Sequence, residues 1–281
     1  MTTTGPVVAI TDVNKVFESA GGRTTALEAI NLTIDPGEFV SLIGPSGCGK
    51  STLLRVIGDL TAPTSGSVVV NGKPARQARL DRDYGIVFQA PVLFDWRSVQ
   101  ANVALPLEVK GVSGAERQRR VEAMLDLVEL RDFSRHYPYQ LSGGMQQRVS
   151  IARALALESS ILLMDEPFGA LDEMTRERMN SEVQRIWQQT GTTVVFVTHS
   201  IPEAVFLSSK VVVMSPRPGR IVRVIDIDLP RPRTDDTRES TRYFSLITEV
   251  RETLRGRRTD GSGTAGPVAS AERTLAEGSV G

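Results

Sequence analysis

Short runs of apolar residues separated by turn signals mark the first third of the chain. Residues 7–10 open it with an apolar stretch. Over 27–34 the apolar residues Leu27, Ile30, Leu32 and Ile34 recur between polar ones, the pattern of a half-buried strand. Asp35-Pro36-Gly37 marks a turn. Residues 39–43 are apolar almost without a break, which suits a strand buried on both faces. They lead straight into a glycine-rich loop and a helix beginning near Lys50. Residues 68–70 and 84–88 predict further strands, with the turn Asn71-Gly72 between them.

The middle third changes period. Ser113 and Glu116 have the spacing of a capping box, and Val121, Met124, Leu125 and Val128 then recur as on one helix face. Tyr137-Pro138 breaks the pattern, and a second helix is expected from Ser142 through Val149, Ile151, Ala152 and Leu155. Strands return at 161–164 and 193–197, with a helix between them carrying Met179, Val183 and Ile186 on one face. Ser200 and Glu203 form another capping-box pair, with Pro202 in the first turn, where proline is tolerated. Residues 211–214 and 221–227 predict closing strands. Phe244, Ile247, Val250 and Leu254 are expected to line one face of a late helix within 234–255. From Gly256 onward, glycine, serine and threonine dominate. The stretch 256–281 is expected to be a disordered tail whose removal leaves activity nearly intact.

Composition narrows the function. Among 281 residues, 40% are hydrophobic, enough for a sizeable core, and 33 basic side chains balance 33 acidic ones. A neutral chain has no electrostatic reason to seek nucleic acid or an anionic bilayer. Cys48 is the only cysteine, which excludes an internal disulfide, makes a thiol zinc site improbable and fits a reducing compartment. No run reaches the roughly 20 apolar residues that a membrane span needs, and the first residues lack the form of a signal peptide. The expected place is inside the cell, with membrane contact only through a protein partner or a local apolar patch.

Gly44-Pro45-Ser46-Gly47-Cys48-Gly49-Lys50-Ser51-Thr52 matches G-x-x-x-x-G-K-[ST] without a gap. Glycines let the backbone wrap a phosphate with its N–H groups turned inward, and the following helix offers its positive end. Lys50 adds a full charge near the β- and γ-phosphates, Ser51 offers a hydroxyl to Mg²⁺ and Thr52 reaches toward the α-phosphate. A chance glycine turn is the bland alternative, disfavoured by the strand before the loop and the helix after it. Cys48 is read either as a thiol sensitised by the helix N-terminus or as a small residue that the loop needs. Residues 161–164 end in Asp165 and Glu166. Neighbouring side chains on a strand face opposite ways, so the two need different roles: Asp165 to hold Mg²⁺ through a water, Glu166 to polarise the attacking water.

Leu141-Ser142-Gly143-Gly144-Met145-Gln146-Gln147-Arg148 resembles the signature motif of ABC ATPases. Ser142 is read as a helix cap, and two glycines in the first turn, costly by about 1 kcal/mol each, suggest close approach to an anion. Other elements of that family match in order. Gln89 resembles the Q-loop glutamine, Ala170-Leu171-Asp172 the D-loop and His199 the switch histidine. Phe17 resembles the aromatic that stacks on adenine, with a plain core aromatic as its alternative. Met145 stands where many members carry glutamine. The resemblance covers roughly residues 7–233.

It implies an α/β P-loop NTPase (RecA-like) core with an N-terminal antiparallel β subdomain and an inserted α-helical signature subdomain near residues 90–158, all within 1–233. It also implies ATP as substrate with Mg²⁺, bound by the loop 44–52 and Phe17. Ser51, Gln89 and Asp165 would attend the metal, and Glu166, His199 and Gln89 the attacking water. Ser142, Gly143 and Gly144 would grip the γ-phosphate of ATP held by a second copy, with Asp172 at the interface between copies. Residues 90–106, with Val92, Leu93, Phe94 and Trp96, would receive a helix of a transmembrane permease subunit, unless they pack inside the helical segment. The stretches 93–96 and 214–221 resemble ATPases of importers for nitrate, sulfonates and taurine. The expected place is then the cytoplasmic face of the membrane, with a solute-binding protein as an indirect partner. A non-transport ABC ATPase of DNA repair or of the ribosome is disfavoured by the lack of long insertions and of a basic patch. A regulator without turnover is disfavoured by the joint presence of Glu166, His199, Gln89 and Ser142.

Overall fold

A computed structural model describes residues 5–19 and 22–256. The expected tail lies outside them, apart from Gly256. Strands β1 (Val8–Ser19) and β2 (Gly22–Ile34) form a long antiparallel pair. On β2, Leu27, Ile30, Leu32 and Ile34 are the buried positions that the alternation requires. Strand β3 (Phe39–Ile43) is followed by helix α1 (Lys50–Ile57), then by β4 (Ser65–Val70) and the two-residue β5 (Lys73–Pro74). Asn71 and Gly72 both take positive φ (51° and 73°) in a two-residue hairpin turn. Helix α2 (Ala75–Asp81) comes before β6 (Tyr84–Val87). Helices α3 (Val99–Val109), α4 (Gly114–Leu127) and α5 (Gly143–Leu155) form the middle segment. The chain then alternates β7 (Ile161–Asp165), α6 (Glu173–Thr190), β8 (Thr193–Val197) and α7 (Ile201–Leu207). It closes with β9 (Lys210–Met214), β10 (Ile221–Asp226), α8 (Asp235–Glu239) and α9 (Thr241–Leu254).

Two sheets result. One is antiparallel, in the order β2-β1-β4-β5; the other runs β10-β9-β3-β8-β7-β6, parallel from β9 to β6, with β10 antiparallel at its edge. Period-two burial explains the layering. Phe39, Leu162, Met164, Val194 and Phe196 point into one apolar cluster, shared with α3, α4, α5, α6, α7 and α9. Val40, Leu42, Ile161, Leu163, Val195 and Val197 point into another, shared with α1 and the antiparallel sheet. Parallel order puts the carboxyl ends of β3, β8, β7 and β6 in a row, and ligands of open α/β sheets bind at such ends.

Some local expectations fail. Strand β1 runs well beyond residue 10, paired on both sides by β2 and β4, and α2 carries no clear periodic signal. Ser113 sits at the N-cap of α4 but makes no side-chain cap bond, and the Glu116 carboxylate pairs with Arg120 at 2.5 Å and with Arg119 instead of completing a box. The pair Ser200 and Glu203 is half a capping box: the Ser200 hydroxyl accepts from the Glu203 N–H at 3.4 Å, while the Glu203 carboxyl turns to the Thr198 hydroxyl. On α9 the buried face is Tyr243, Leu246, Ile247 and Val250, and Phe244 is 57% exposed. Tyr243 displaces Phe244 from the inner face because its phenol finds a partner there, donating to the Pro202 carbonyl at 3.0 Å.

Candidate active site

The glycine-rich loop leaves the end of β3 and enters α1. Gly47 and Gly49 adopt φ of +72° and +107°, which a Cβ disfavours. A Cβ on Gly49 would also sit 2.9 Å from the Ala26 carbonyl of β2. Lys50 is 5% exposed. Its Nζ donates to the carbonyls of Gly44 at 2.8 Å and Pro45 at 3.2 Å, so the loop curls around the ammonium. Cys48 is buried and free, with Sγ 4.0 Å from that Nζ. A thiol with no exposure serves as a small wall residue rather than a reactive one.

Chain-distant residues converge on this loop. The Ser51 hydroxyl donates to Asp165 Oδ1 at 2.7 Å across 114 positions. These adjacent hard oxygens suit Mg²⁺ with a coordination sphere completed by phosphate oxygens and water. Among the described residues no group of three or more His, Cys, Asp or Glu could hold a metal by itself. Arg55, one turn beyond Ser51 on α1, reaches to 3.9 Å from Asp165 Oδ2. Sequence reasoning missed it, although its i+4 spacing from Ser51 was the available signal.

Strands β7 and β8 are parallel neighbours with Asp165 opposite Val197, so the residues that follow them leave side by side. Glu166 has φ of +47°, and its N–H donates to the Val197 carbonyl at 3.0 Å. Its carboxylate lies 3.6 Å from His199 Nδ1. Gln89, just past β6, packs its amide 3.2 Å from where a Cβ on Gly169 would stand, and the Gly169 N–H donates to the Glu166 carbonyl at 3.1 Å. The Gln147 amide on α5 donates to the Phe88 carbonyl at 3.3 Å, tying that helix to the glutamine's strand end. A cleft of about 480 Å³ is lined by Phe17, Lys50, Ser51, Thr52, Glu166 and Arg217, among others. Phe17 is 43% exposed, with Lys15 Nζ 4.9 Å from its ring centroid, so it is not a core aromatic.

The glycines of α5 are not part of that cleft. The Ser142 hydroxyl caps α5 by accepting from the Met145 N–H at 3.3 Å. Ser142 and Gly144 border a separate cavity of about 140 Å³ with Arg148, Thr175 and Arg178. Asp172 Oδ1 accepts from the Thr175 N–H at 3.0 Å and caps α6. That backbone bond holds its carboxyl below the usual range. Within one chain, therefore, the glycine-rich loop around Lys50 and the tip of α5, where Gly143 is exposed and Gly144 buried, face different openings.

The turn that carries His199 rests on a buried acid. Burial pushes the Glu203 carboxyl from 4.5 up to about 7, partly offset by its bond with Thr198. Thr198 in turn accepts from the Ser200 N–H at 3.0 Å. Because the folded protein holds this proton more tightly than the unfolded chain, the stabilisation is full below about pH 4.5. It is lost as pH rises through about 7. Glu203→Gln, which cannot ionise, is expected to flatten the fall in unfolding free energy between pH 5 and 8 by up to about 3 kcal/mol. Urea titrations across that range measure it, and an unchanged pH slope would refute the assignment.

Residues 27–169 match the family described as ABC transporter. The chain is 46% identical to the nitrate import ATP-binding protein NrtD of Synechocystis sp., over 89% of this chain and 96% of that one. It is 45% identical to the taurine import ATP-binding protein TauB of Roseobacter denitrificans, over 76% and 80% of the two. Among solved structures it resembles the dimeric bacterial ABC transporter cassette MJ0796 (TM-score 0.69, 38% identity, covering 78% of this chain and 98% of that one). The same cassette has been solved as a dimer in a post-hydrolysis state bound to ADP and phosphate (TM-score 0.68, 37% identity, the same coverage). On this similarity, spanning nearly the whole length of its relatives, the chain belongs to the ABC transporter family and is one of its ATP-hydrolysing members.

Proposed function

We propose that the chain is the motor subunit of an importer for nitrate, taurine, a sulfonate or a similar small solute, working as a pair of identical copies. The observation that carries the pairing is the separation of the two half-sites. The cradle around Lys50 and the helix tip at Ser142 open into different cavities of one chain, so only a second copy can supply both to one triphosphate. The choice of solute class rests on the names of the relatives.

In this reading the loop 44–52 binds the phosphates and Phe17 stacks on the base. Ser51 and Asp165, with Gln89, would hold Mg²⁺, which when bound neutralises charge on the β- and γ-phosphates. Glu166 accepts the proton of the attacking water, and His199 holds the γ-phosphate and that water. Ser142, Gly143 and Gly144 cap the γ-phosphate of the opposite copy, and Asp172 lies at the interface. Closure on ATP moves permease subunits, and hydrolysis reopens the pair; only binding that differs between the open and closed states can drive this. Among the described residues no helix is long and apolar enough to cross a membrane, so force has to pass through a contact surface.

Val92 and Trp96 suit that surface. They are 58% and 74% exposed, and the Trp96 ring lies tilted against that of Phe94, with 4.9 Å between centroids. Arg153 on α5 pins the segment by donating to the carbonyls of Pro91 at 2.9 Å and Val92 at 2.8 Å. Purification from membranes of a tagged copy is expected to bring down a polytopic permease, and recovery of no membrane protein would overturn the transport reading. Trp96→Ala is expected to reduce that recovery about tenfold, as an interface aromatic would, with basal ATP hydrolysis unchanged. Equal recovery would remove Trp96 from the docking surface.

A further inference from the structure

The segment joining β9 to β10 straps the outside of the phosphate loop. Its backbone runs so close that a Cβ on Gly219 would lie 2.1 Å from the Cys48 carbonyl, and one on Gly44 would lie 2.9 Å from the Met214 carbonyl. The strap is anchored to β2 at both backbone and side chain. The Gly219 N–H donates to the Ala26 carbonyl at 3.0 Å, the Glu28 N–H donates to the Gly219 carbonyl at 2.9 Å, and Arg220 pairs with Glu28 at 2.6 Å. Within it, the Ser215 hydroxyl lies 3.0 Å from the Pro218 carbonyl and accepts from the Arg220 N–H at 3.0 Å.

Arg217 projects from this strap to the middle of the cradle. Its Nε and Nη2 both donate to the Gly47 carbonyl, at 3.2 and 3.1 Å, across 170 positions of sequence. Gly47 is one of the two loop residues with left-handed φ, a conformation that local sequence holds weakly. A guanidinium fork on one carbonyl fixes the plane of the peptide that Gly47 shares with Cys48. Arg217 also borders the cleft that Lys50 and Thr52 line.

We propose that Arg217 is a positioning residue for nucleotide binding. By gripping the Gly47 carbonyl it sets the curvature of the phosphate cradle before nucleotide arrives, so that binding does not have to order the loop. The inference rests on the cradle reading above. Because Arg217 acts through the main chain around the inner phosphates, it serves ATP and ADP alike, whereas Lys50 reaches the γ-phosphate and favours ATP.

Calorimetric titration of the full chain with magnesium-ADP and with a non-hydrolysable ATP analogue tests this, alongside the melting temperature of nucleotide-free protein. Arg217→Ala is expected to weaken both ligands by the same factor, about 5- to 20-fold, with the nucleotide-free melting temperature unchanged because the side chain is exposed. Arg217→Lys, which keeps the charge and one donor to Gly47, is expected to recover part of the affinity. Loss of affinity in Lys50→Ala but not in Arg217→Ala would overturn this inference and leave the cradle standing. Loss confined to the ATP analogue in Arg217→Ala would also overturn it, by making Arg217 a γ-phosphate contact. Full affinity in both variants would overturn the cradle reading beneath it.

Discussion

Glu166→Gln is expected to bind magnesium-ATP about as tightly as the unaltered chain and to lose about 10²–10⁴-fold in turnover, the range of a general base. The amide keeps the shape of the side chain and removes only its capacity to take a proton. The backbone at this position, with φ of +47° and its N–H on the Val197 carbonyl, does not depend on the carboxylate, so the turn that presents residue 166 should survive. In the proposed step a water oxygen bonds to the γ-phosphorus as Glu166 accepts its proton. The bond from phosphorus to the β–γ bridging oxygen breaks, ADP leaves with that electron pair, and the proton passes to the released phosphate or ADP. With the base absent the pair of chains stays closed on ATP. Phosphate release and light scattering check the two halves of this expectation. Brisk turnover would remove Glu166 as the base. A monomer at saturating magnesium-ATP would sink the two-copy site.

Lys50→Ala is expected to weaken ATP binding by about 100-fold, near 2.7 kcal/mol, with a smaller loss for ADP. The ammonium is nearly sealed inside the loop and already organises the Gly44 and Pro45 carbonyls. Its removal takes away a positive charge facing the phosphates and also the centre about which the loop curls. Titration of the variant with both nucleotides measures the difference, and unchanged ATP affinity would refute the assigned contact.

Much of this was legible in the chain. Five consecutive mostly apolar residues before a glycine loop predicted β3, and it is buried on both faces. The burial of Leu27, Ile30, Leu32 and Ile34 follows the alternation that pointed to β2. The phosphate loop, Asp165 and Glu166 stood out by residue type and spacing, whereas Gln89, Ser142 and His199 were singled out by their resemblance to ABC ATPase motifs. What failed was local geometry decided by competition. The Glu116 carboxylate went to two arginines rather than to a box with Ser113. Glu203 lost the Ser200 backbone to a buried threonine hydroxyl. Phe244 lost the inner face of α9 to Tyr243, whose phenol had a carbonyl to meet. Arg55 was passed over despite its i+4 spacing from Ser51, and Arg217 was read only as part of the stretch 214–221, because neither residue's partner lies nearby in sequence.

Residue order alone marked most of the strands and helices and the groups proposed for phosphate binding and catalysis, since period, capping and motif spacing act over a few residues, but it left α2, α3 and much of β1 unmarked. Tertiary structure decided which of those groups meet. Hydrogen bonding and two-faced burial order the strands β9, β3, β8, β7 and β6, and that order brings Ser51 to Asp165, Glu166 to His199 and, through the pairing of β9 with β3, Arg217 to Gly47. It also leaves Ser142 facing another opening. Strand order is a collective outcome of packing distant apolar faces together, so no local stretch encodes it.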